Sequence, residues 1–322
     1  MTRSIYTIIL ALLGTFSLPN NAHAVPVVPG FTVQQYAAVT DPVTLSFDAI
    51  GNLFVGRDNS GSGGGHSDPV PIHRVGPGGS PVTEYGNTAV FDPDAVVVDL
   101  AGIISGTPGS VLVSGAGKIS AILPDESVVE VFSLAGGMDV GNMKFDGAGR
   151  LLFSNDGTGG IFATTGGTPM LLAGPFIERV RGIAIDDSDR IFADFTDGSM
   201  RVFNSDGSLA DGAFMTSLST GVLGNAPHAF GAGGPFGTDL YVADAGNLLR
   251  VDTLGTVTIV GSGFDTQIFG MAFGPDGALY VSEFNNDQIL RIMPVPEPAT
   301  ITLAGVGLIG LLACGWQRRR RA

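Results

Sequence analysis

The chain has 322 residues, of which 49 are glycine, and it contains a single cysteine, Cys314. Between residues 25 and 293 there are 29 acidic side chains against 11 basic ones, a net charge of −18. A surface of this charge repels nucleic acid and anionic lipid, so DNA and RNA are excluded as partners. Because this part has no cysteine, it also has neither disulfides nor thiolate metal sites.

The first 24 residues, MTRSIYTIILALLGTFSLPNNAHA, have the features of a secretory signal peptide. Arg3 precedes a short apolar stretch, and Ala22-His23-Ala24 fits the small-x-small cleavage pattern. The stretch is too short and too soon interrupted for a stable membrane span. We therefore expect signal peptidase to cleave after Ala24 and the mature chain, beginning at Val25, to be exported; an uncleaved anchor is the alternative.

Five stretches of the exported part share one pattern, in which two alternating apolar runs flank an Asp/Gly turn. This is the pattern of a β-hairpin. The stretches are LSFDAIGNLFVGRD (45–58), MKFDGAGRLLFSND (143–156), IAIDDSDRIFADF (183–195), AFGAGGPFGTDLYVAD (229–244) and MAFGPDGALYVSEF (271–284). A sixth, degenerate copy with a longer turn lies at 96–115.

Equivalent positions in the six copies recur every 40 to 51 residues, at Phe47, Val98, Phe145, Ile185, Phe230 and Phe273. Each interval leaves room for two further short strands, and four strands per 40–50 residues predict a β-propeller blade. The sequence therefore predicts an all-β fold, a six-bladed β-propeller over residues 25–293. The last copy lacks an outer strand, which we expect the segment 31–39 to supply. A β-sandwich is the alternative, but it does not demand a regular repeat.

The repeats resemble NHL and SMP-30 (gluconolactonase)-like propellers over most of residues 31–293, and the segment 30–56 is also similar to the start of sorbosone-dehydrogenase-like propellers. SMP-30-like enzymes hold a divalent metal with Glu, Asn and Asp. The resemblance places Asn142 and Asp244 at matching kinds of position, whereas Thr44 stands where the first-blade Glu would be. The resemblance therefore supports the fold and puts a lactonase activity in doubt.

Two rings of residues are expected at the mouth of the central channel. The first ring, just before the first strand of each blade, contains Thr44, Asn142, Arg181, His228 and Phe269. The second, after the second strand, contains Asp58, Asn155, Asp156, Asp194, Asp244 and Glu283.

These rings suggest two kinds of chemistry. Oxygen ligands such as Asn142, Asp194 and Asp244 could hold Ca²⁺ or another divalent cation. The segment PHAFG (227–231) resembles the His-containing repeat of streptogramin-lyase-like propellers. His228 is therefore a candidate acid or base, with Glu283 as its candidate partner and Asp244 as the alternative partner. The alternative is structural, since an Asp at the end of a strand commonly caps the following turn.

A glycine-rich stretch at 56–81 contains Asp58, His66, Asp68 and His73, which could also bind a metal. Its spacing matches no metal motif, and the glycines and serines between the ligands favour a flexible surface loop.

The C-terminal residues 294–322 have three parts in a fixed order. Pro296-Glu297-Pro298 is followed by an apolar run, Ile301–Trp316, and then by four arginines, Arg318, Arg319, Arg320 and Arg321. This order resembles the PEP-CTERM sorting signal of Gram-negative bacteria. The resemblance implies a single transmembrane sorting helix, cleavage by an exosortase, and transfer to the cell surface or release, in bacteria that tend to make exopolysaccharide. An ordinary C-terminal anchor is the alternative.

Together these features predict an exported propeller that passes through an inner-membrane-anchored intermediate. We expect a binding module for polysaccharide, a surface protein or a small ligand rather than an enzyme. The alternative is a metal-dependent lactonase or lyase acting on sugar-derived substrates. A bound cation at the channel mouth would favour the alternative.

Overall fold

The computed structural model describes residues 26–58, 69–86, 90, 92–134, 138–157, 159–218 and 227–295. Within these residues 24 strands form six four-stranded antiparallel sheets, and the only helical segment is a 3₁₀ turn, Gly234–Phe236. Each sheet coincides with one of the six sequence repeats. The predicted six-bladed β-propeller is therefore confirmed.

The blades follow one another along the chain. Blade 1 contains β2 (Pro42–Phe47), β3 (Leu53–Arg57), β4 (Ile72–Val75) and β5 (Val82–Tyr85). Blade 2 contains β6 (Val96–Asp99), β7 (Ser110–Gly115), β8 (Lys118–Ile122) and β9 (Val128–Ser133). Blade 3 contains β10 (Val140–Phe145), β11 (Leu151–Asn155), β12 (Gly160–Thr164) and β13 (Met170–Ala173).

The second half repeats this order. Blade 4 contains β14 (Val180–Ile185), β15 (Ile191–Phe195), β16 (Met200–Phe203) and β17 (Leu209–Met215). Blade 5 contains β18 (His228–Phe230), β19 (Leu240–Asp244), β20 (Asn247–Val251) and β21 (Val257–Ser262). Blade 6 contains β22 (Met271–Phe273), β23 (Leu279–Glu283), β24 (Gln288–Pro294) and, as its outer strand, β1 (Phe31–Ala38).

The N-terminal strand closes the ring, as expected from the sequence. β1 runs antiparallel to β24, with Cα pairs from Phe31 opposite Pro294 to Ala38 opposite Gln288. The first and last strands of the propeller are thereby joined in one sheet. Closure pairs the edges that β24 and β1 would otherwise expose, which is a general need of β architectures.

The hydrophobic core consists of six clusters, each between two neighbouring blades. The second strand of each blade contributes to clusters on both of its faces, so it has a continuous apolar run instead of alternation. In β11 and β15 every residue is buried. The core is therefore a ring around the channel.

Strand direction alternates within each blade, which gives the propeller two distinct ends. At one end the first strands begin and the second strands end; we call this the mouth end, and Asp94 and Asp156 lie there. At the other end the first and third strands end; we call this the turn end, and the turns 48–51 and 252–255 lie there.

Aspartates stabilise the turns at the turn end. Asp48 Oδ1 accepts hydrogen bonds from the backbone N–H groups of Ile50 and Asn52, at 3.0 and 2.8 Å. Asp252 Oδ1 accepts in the same way from Leu254 and Thr256, both at 2.9 Å. Asp48 follows a first strand and Asp252 a third strand, so these Asx-type turns give acidic residues a conformational role at both kinds of turn at this end.

Replacing Gly79 with alanine should destabilise the propeller more than the same change at Gly78. Both residues have a positive φ, +89° and +82°, so both substitutions strain the backbone. Only at Gly79 would the added Cβ collide with the carbonyl oxygen of Tyr36 in β1, because around Gly78 there is open space. We expect G79A to lower the free energy of unfolding by about 1–3 kcal/mol more than G78A, as measured by urea denaturation. Equal losses would contradict the packing of β1 on this turn.

Candidate functional site

A cavity of about 230 Å³ lies at the mouth end of the channel. Five of the six blades line it, and its walls are mainly polar. The lining residues are Val43, Thr44, Asp58, Asp94, Asp139, Gly141, Asp156, Arg179, Arg181 and Phe269. Five of these, Thr44, Arg181 and Phe269 of the first expected ring and Asp58 and Asp156 of the second, were predicted from the sequence to lie at this mouth.

β-Bulges place four of the lining residues. The pairing register shifts between Pro42 and Leu45 in blade 1, between Val140 and Met143 in blade 3, and between Val180 and Ile183 in blade 4. The four residues inside these bulges are Val43, Thr44, Gly141 and Arg181. Such bulges re-aim side chains at the rim of a closed sheet. The expectation that the first-ring residues precede their strands was therefore wrong for Thr44, Asn142 and Arg181, because these strands begin one or two residues earlier and bulge.

Three carboxylates lie close together at the border of blades 1 and 2, and two of them, Asp58 and Asp94, line the cavity. One oxygen from each of Asp58, Asp92 and Asp94 lies within 4.8 Å of the others, the only such group of acidic, His or Cys ligands among the described residues. Burial raises the pKa of Asp94 well above its usual value, and the nearby carboxylates of Asp92, Asp58, Asp139 and Asp156 raise it further. Crowded carboxylates of this kind either retain protons or attract a cation.

Two arginines balance part of this charge. Arg181 Nε lies 3.5 Å from Asp156 Oδ1, and both side chains are largely buried. Burial raises the pKa of Asp156, and Arg181 opposes that shift. The cavity therefore combines charge-assisted donors and acceptors, a combination suited to polar ligands.

His228 lies in the wall between blades 4 and 5 and does not line the cavity. It is 3% exposed, and its Nε2 lies 3.0 Å from the carbonyl oxygen of Phe192, to which it donates. Its Nδ1 lies 3.8 Å from Asp194 Oδ1, and that carboxylate oxygen accepts a hydrogen bond from the backbone N–H of Gly182 at 2.5 Å. The arrangement connects β14, β15 and β18 across two blades.

Glu283, the expected partner of His228, lies at the end of β23 in blade 6 and is 1% exposed. Its Oε1 accepts the backbone N–H of Asp265 at 2.9 Å, and its Oε2 accepts the side-chain amides of Asn286 and Gln288 at 2.9 and 2.7 Å. Both oxygens are thus used to hold the loops at the mouth end of blade 6.

The three expected metal ligands lie in three different blades. Asn142 lies in the β10 bulge, with its Oδ1 buried. Asp194 lies in β15, next to His228. Asp244 ends β19, opposite Asn247. None of the three belongs to the group formed by Asp58, Asp92 and Asp94.

The stretch 56–81 is not a loop throughout, which corrects the sequence interpretation. Residues Ile72–Val75 form β4, where His73 pairs with Glu84 and is 9% exposed. Burial lowers the pKa of His73, and the Arg57 guanidinium lowers it further. His66 and Asp68 lie outside the described residues.

Sequence reasoning missed Asp94, Asp139 and Arg179 in the cavity. Each of these charged residues stands one or two positions before the first strand of its blade, and Asp41 does the same in blade 1. This recurrence is visible in the sequence once the strand starts are set correctly. In blades 3 and 4 the signal was overlooked because the bulges moved the apparent strand starts toward the C-terminus. β6 of blade 2 has no bulge, and Asp94 was missed because the degenerate repeat contributed no residue to the expected rings.

Comparison with known proteins identifies a PEP-CTERM protein-sorting motif at residues 294–321. A search of curated protein sequences finds no match. This motif contains the expected sorting residues Pro296, Glu297, Pro298 and Arg318–Arg321, all of which lie outside the described residues. Ala22 and Ala24 of the expected signal cleavage site also lie outside the described residues. The motif implies processing by an exosortase, a C-terminal transmembrane tail, and membrane-anchored sorting to the cell surface.

Solved structures confirm the fold. A gluconolactonase from Xanthomonas campestris is 12% identical, with a TM-score of 0.62 over 83% of this chain and 90% of the other. Virginiamycin B lyase from Staphylococcus aureus is 15% identical, with a TM-score of 0.57 over 82% of this chain and all of the other. An auxiliary nutrient binding protein from Bacteroides thetaiotaomicron is 10% identical, with a TM-score of 0.58 over 81% of this chain and 76% of the other.

These neighbours include two enzymes and a binding protein, so the shared propeller fold does not distinguish an enzyme from a binding module. No helix in the part of the chain that the structure describes is long and apolar enough to cross a membrane. The chain is a six-bladed β-propeller, with structural neighbours among the gluconolactonases, that carries a PEP-CTERM protein-sorting motif for processing by an exosortase.

Proposed function

We propose that this chain is a recognition module of the cell surface or matrix, whose channel mouth binds a sugar unit of exopolysaccharide. In this proposal residues 1–24 are a cleaved signal peptide, residues 25–293 bind the ligand, and residues 294–322 direct sorting. The proposal rests on one observation: four carboxylates and two guanidinium groups line a small cavity at the mouth of the channel. Carboxylates accept hydrogen bonds from sugar hydroxyls and guanidinium groups donate to them.

The size of the cavity limits the ligand. Pockets for drug-sized molecules have volumes of about 300–1,000 Å³, and this cavity has about 230 Å³. It therefore suits a single sugar unit at a chain end or side branch. An extended oligosaccharide would exceed it.

The placement of the candidate acid–base pair supports binding over catalysis. His228 and Glu283 are buried, and neither lines the cavity. Glu283 uses both oxygens to hold the surrounding loops. A general acid or base must come within hydrogen-bond reach of its substrate. A ligand bound in this cavity would not be within hydrogen-bond reach of either side chain.

Calorimetric titration of the mature chain in detergent micelles, with hydrolysed exopolysaccharide of the producing bacterium, tests the proposal. We expect Asp139→Asn and Arg179→Gln to weaken binding about tenfold or more, since a hydrogen bond to a charged group contributes about 1.5–3 kcal/mol. Glu126→Gln, which makes the same charge change as Asp139→Asn at an exposed turn residue that does not line the cavity, should leave the affinity unchanged. No binding by the natural chain, or equal weakening in all three variants, would refute it.

The alternative is a divalent-cation-dependent enzyme, a lactonase or lyase acting on sugar-derived substrates, and the group of Asp58, Asp92 and Asp94 favours it. Three carboxylates within 4.8 Å offer the hard oxygen ligands that Ca²⁺ prefers. A cation held there would polarise a substrate carbonyl oxygen. Thr44, where the resemblance to SMP-30-like enzymes implies Glu, bridges Asp94 and Val96 through its hydroxyl.

Titration of the chelator-treated chain with Ca²⁺ and Mg²⁺, followed by a lactone-hydrolysis assay, separates the two functions. One site per chain that is lost in Asp58→Asn, together with turnover, would establish the enzyme. Cation binding without turnover would support a cation-assisted binding module.

A further inference from the structure

The chain leaves the propeller at the turn end, opposite the cavity. β24 is the third strand of blade 6 and ends at Pro294, which pairs with Phe31. The backbone N–H of Val295 still donates to the carbonyl oxygen of Gly30, at 3.0 Å. The sorting motif begins at residue 294, so the folded propeller and the motif share their boundary without a spacer.

The connection from the propeller to the apolar run is short. Only residues 296–300 separate Val295 from Ile301, where the apolar run begins. A fully extended chain spans at most about 3.6 Å per residue, so this connection reaches about 18 Å. The headgroup layer on each side of a bilayer takes up roughly 5–7 Å of that distance. While the tail is inserted, the turn end of blade 6 must therefore lie within about 10–15 Å of the membrane surface.

Three consecutive blades present exposed apolar side chains at this end of the propeller. They are Leu254 in blade 5, 87% exposed, Val295 after blade 6, 52% exposed, and Ile50 in blade 1, 77% exposed. The turn of Ile50 lies beside the corresponding turn of blade 6, because a Cβ on Gly51 would contact Pro275 at 3.8 Å. We call Ile50, Leu254 and Val295 the exit patch.

The capping aspartates favour this presentation. Asp48 and Asp252 bind the backbone of their own turns, two and four residues further on. The hydrogen bonds leave Ile50 and Leu254 at the outer positions of rigid turns. Apolar side chains at such positions insert into the headgroup boundary of a bilayer, to an extent that scales with their apolar area.

We propose that, in the membrane-anchored precursor, the exit patch lies against the lipid surface and the channel mouth faces away from the membrane. The strand order fixes the two ends as opposite, the five-residue connection brings one of them to the bilayer, and the exit patch makes the contact. The acidic cavity is then accessible before the tail is cleaved. This inference holds whatever the cavity binds.

Fluorescence quenching tests the orientation in the full mature chain, reconstituted in phosphatidylcholine vesicles that contain a headgroup-labelled quencher lipid. Cys314, the sole cysteine, is replaced by serine, and single cysteines for a fluorophore are introduced as I50C, L254C or I177C. Ile177 is the matched control, because it is 99% exposed and lies at the mouth end, next to Phe176, whose N–H bonds to Gly159.

We expect quenching at positions 50 and 254 to be at least threefold stronger than at position 177. A flexible spacer of about 20 Gly/Ser residues between Val295 and Pro296, with a mean reach of roughly 25 Å, should reduce the difference. Equal quenching at the three positions, or stronger quenching at position 177, would overturn the proposal. A larger difference after insertion of the spacer would contradict the inference that the five-residue connection holds the turn end close to the bilayer.

Discussion

A disulfide between positions 32 and 293 will raise the free energy of unfolding by roughly 5 kcal/mol. Thr32 in β1 lies opposite Met293 in β24, so cysteines there have neighbouring Cα atoms of the kind a disulfide needs. The bond would close a loop of about 260 residues, and the entropy removed from the unfolded chain grows with loop length. The variant carries Cys314→Ser and is measured by urea denaturation in its oxidised and reduced forms.

A second disulfide within blade 1 is the control for loop length. Arg74 and Thr83 face each other in β4 and β5, and a bond between these positions closes only about ten residues. We expect it to add about 3 kcal/mol or less, again comparing oxidised with reduced protein. Failure of the bond between positions 32 and 293 to form would contradict closure of blade 6 by β1. An equal gain from both bonds would contradict the dependence on loop length.

Asp94→Asn will stabilise the propeller at neutral pH. Burial and four neighbouring carboxylates raise the pKa of Asp94 in the folded chain. At a pH below the usual Asp pKa, residue 94 is protonated in both the folded and the unfolded chain, so its ionisation does not change the free energy of unfolding. As the pH rises, the unfolded chain loses the proton first, so the stability of the natural chain falls until the folded-state pKa is passed. Each pKa unit of elevation corresponds to about 1.4 kcal/mol at neutral pH.

The measurement is the difference in unfolding free energy between Asp94→Asn and the natural chain at several pH values from 4 to 7. We expect the difference to grow in favour of the variant as the pH rises. Asp206→Asn should show the opposite sign, because hydrogen bonds from Ser208 lower the pKa of Asp206 and stabilise its charged form. A pH-independent effect of Asp94→Asn would contradict the electrostatic account of the cavity. Addition of Ca²⁺ should reduce the advantage of the variant if the carboxylates hold a cation.

The membrane orientation and the closed ring are related. Because β1 pairs with the strand that leads into the sorting motif, the ring closes at the same place where the chain leaves for the membrane. Only six residues, 25–30, lie between the expected signal cleavage site and β1. The first and last strands of the propeller, β1 and β24, thereby lie side by side in blade 6.

The bulges explain part of the difference between the expected and the observed site, since β6, which follows Asp94, has none. A register shift of one residue exchanges the two faces of a strand. In β2, β10 and β14 the shift lies at the mouth end, just where side chains meet the cavity. Thr44 and Arg181 were expected at the mouth and line it, whereas Asp94, Asp139 and Arg179 line it without having been expected.

The sequence by itself determined the repeat, the number of blades, the closing strand and the sorting motif. Strand alternation, turn chemistry and a contiguous motif are local properties, and they recur along the chain, so they can be read without coordinates. Only the tertiary structure decided which charged residues share the cavity and which are used inside the walls. Asp94, Asp139 and Arg179 come from three blades and meet because the ring closes. His228 and Glu283 have the same residue types as catalytic groups, but the contacts between neighbouring elements bury them.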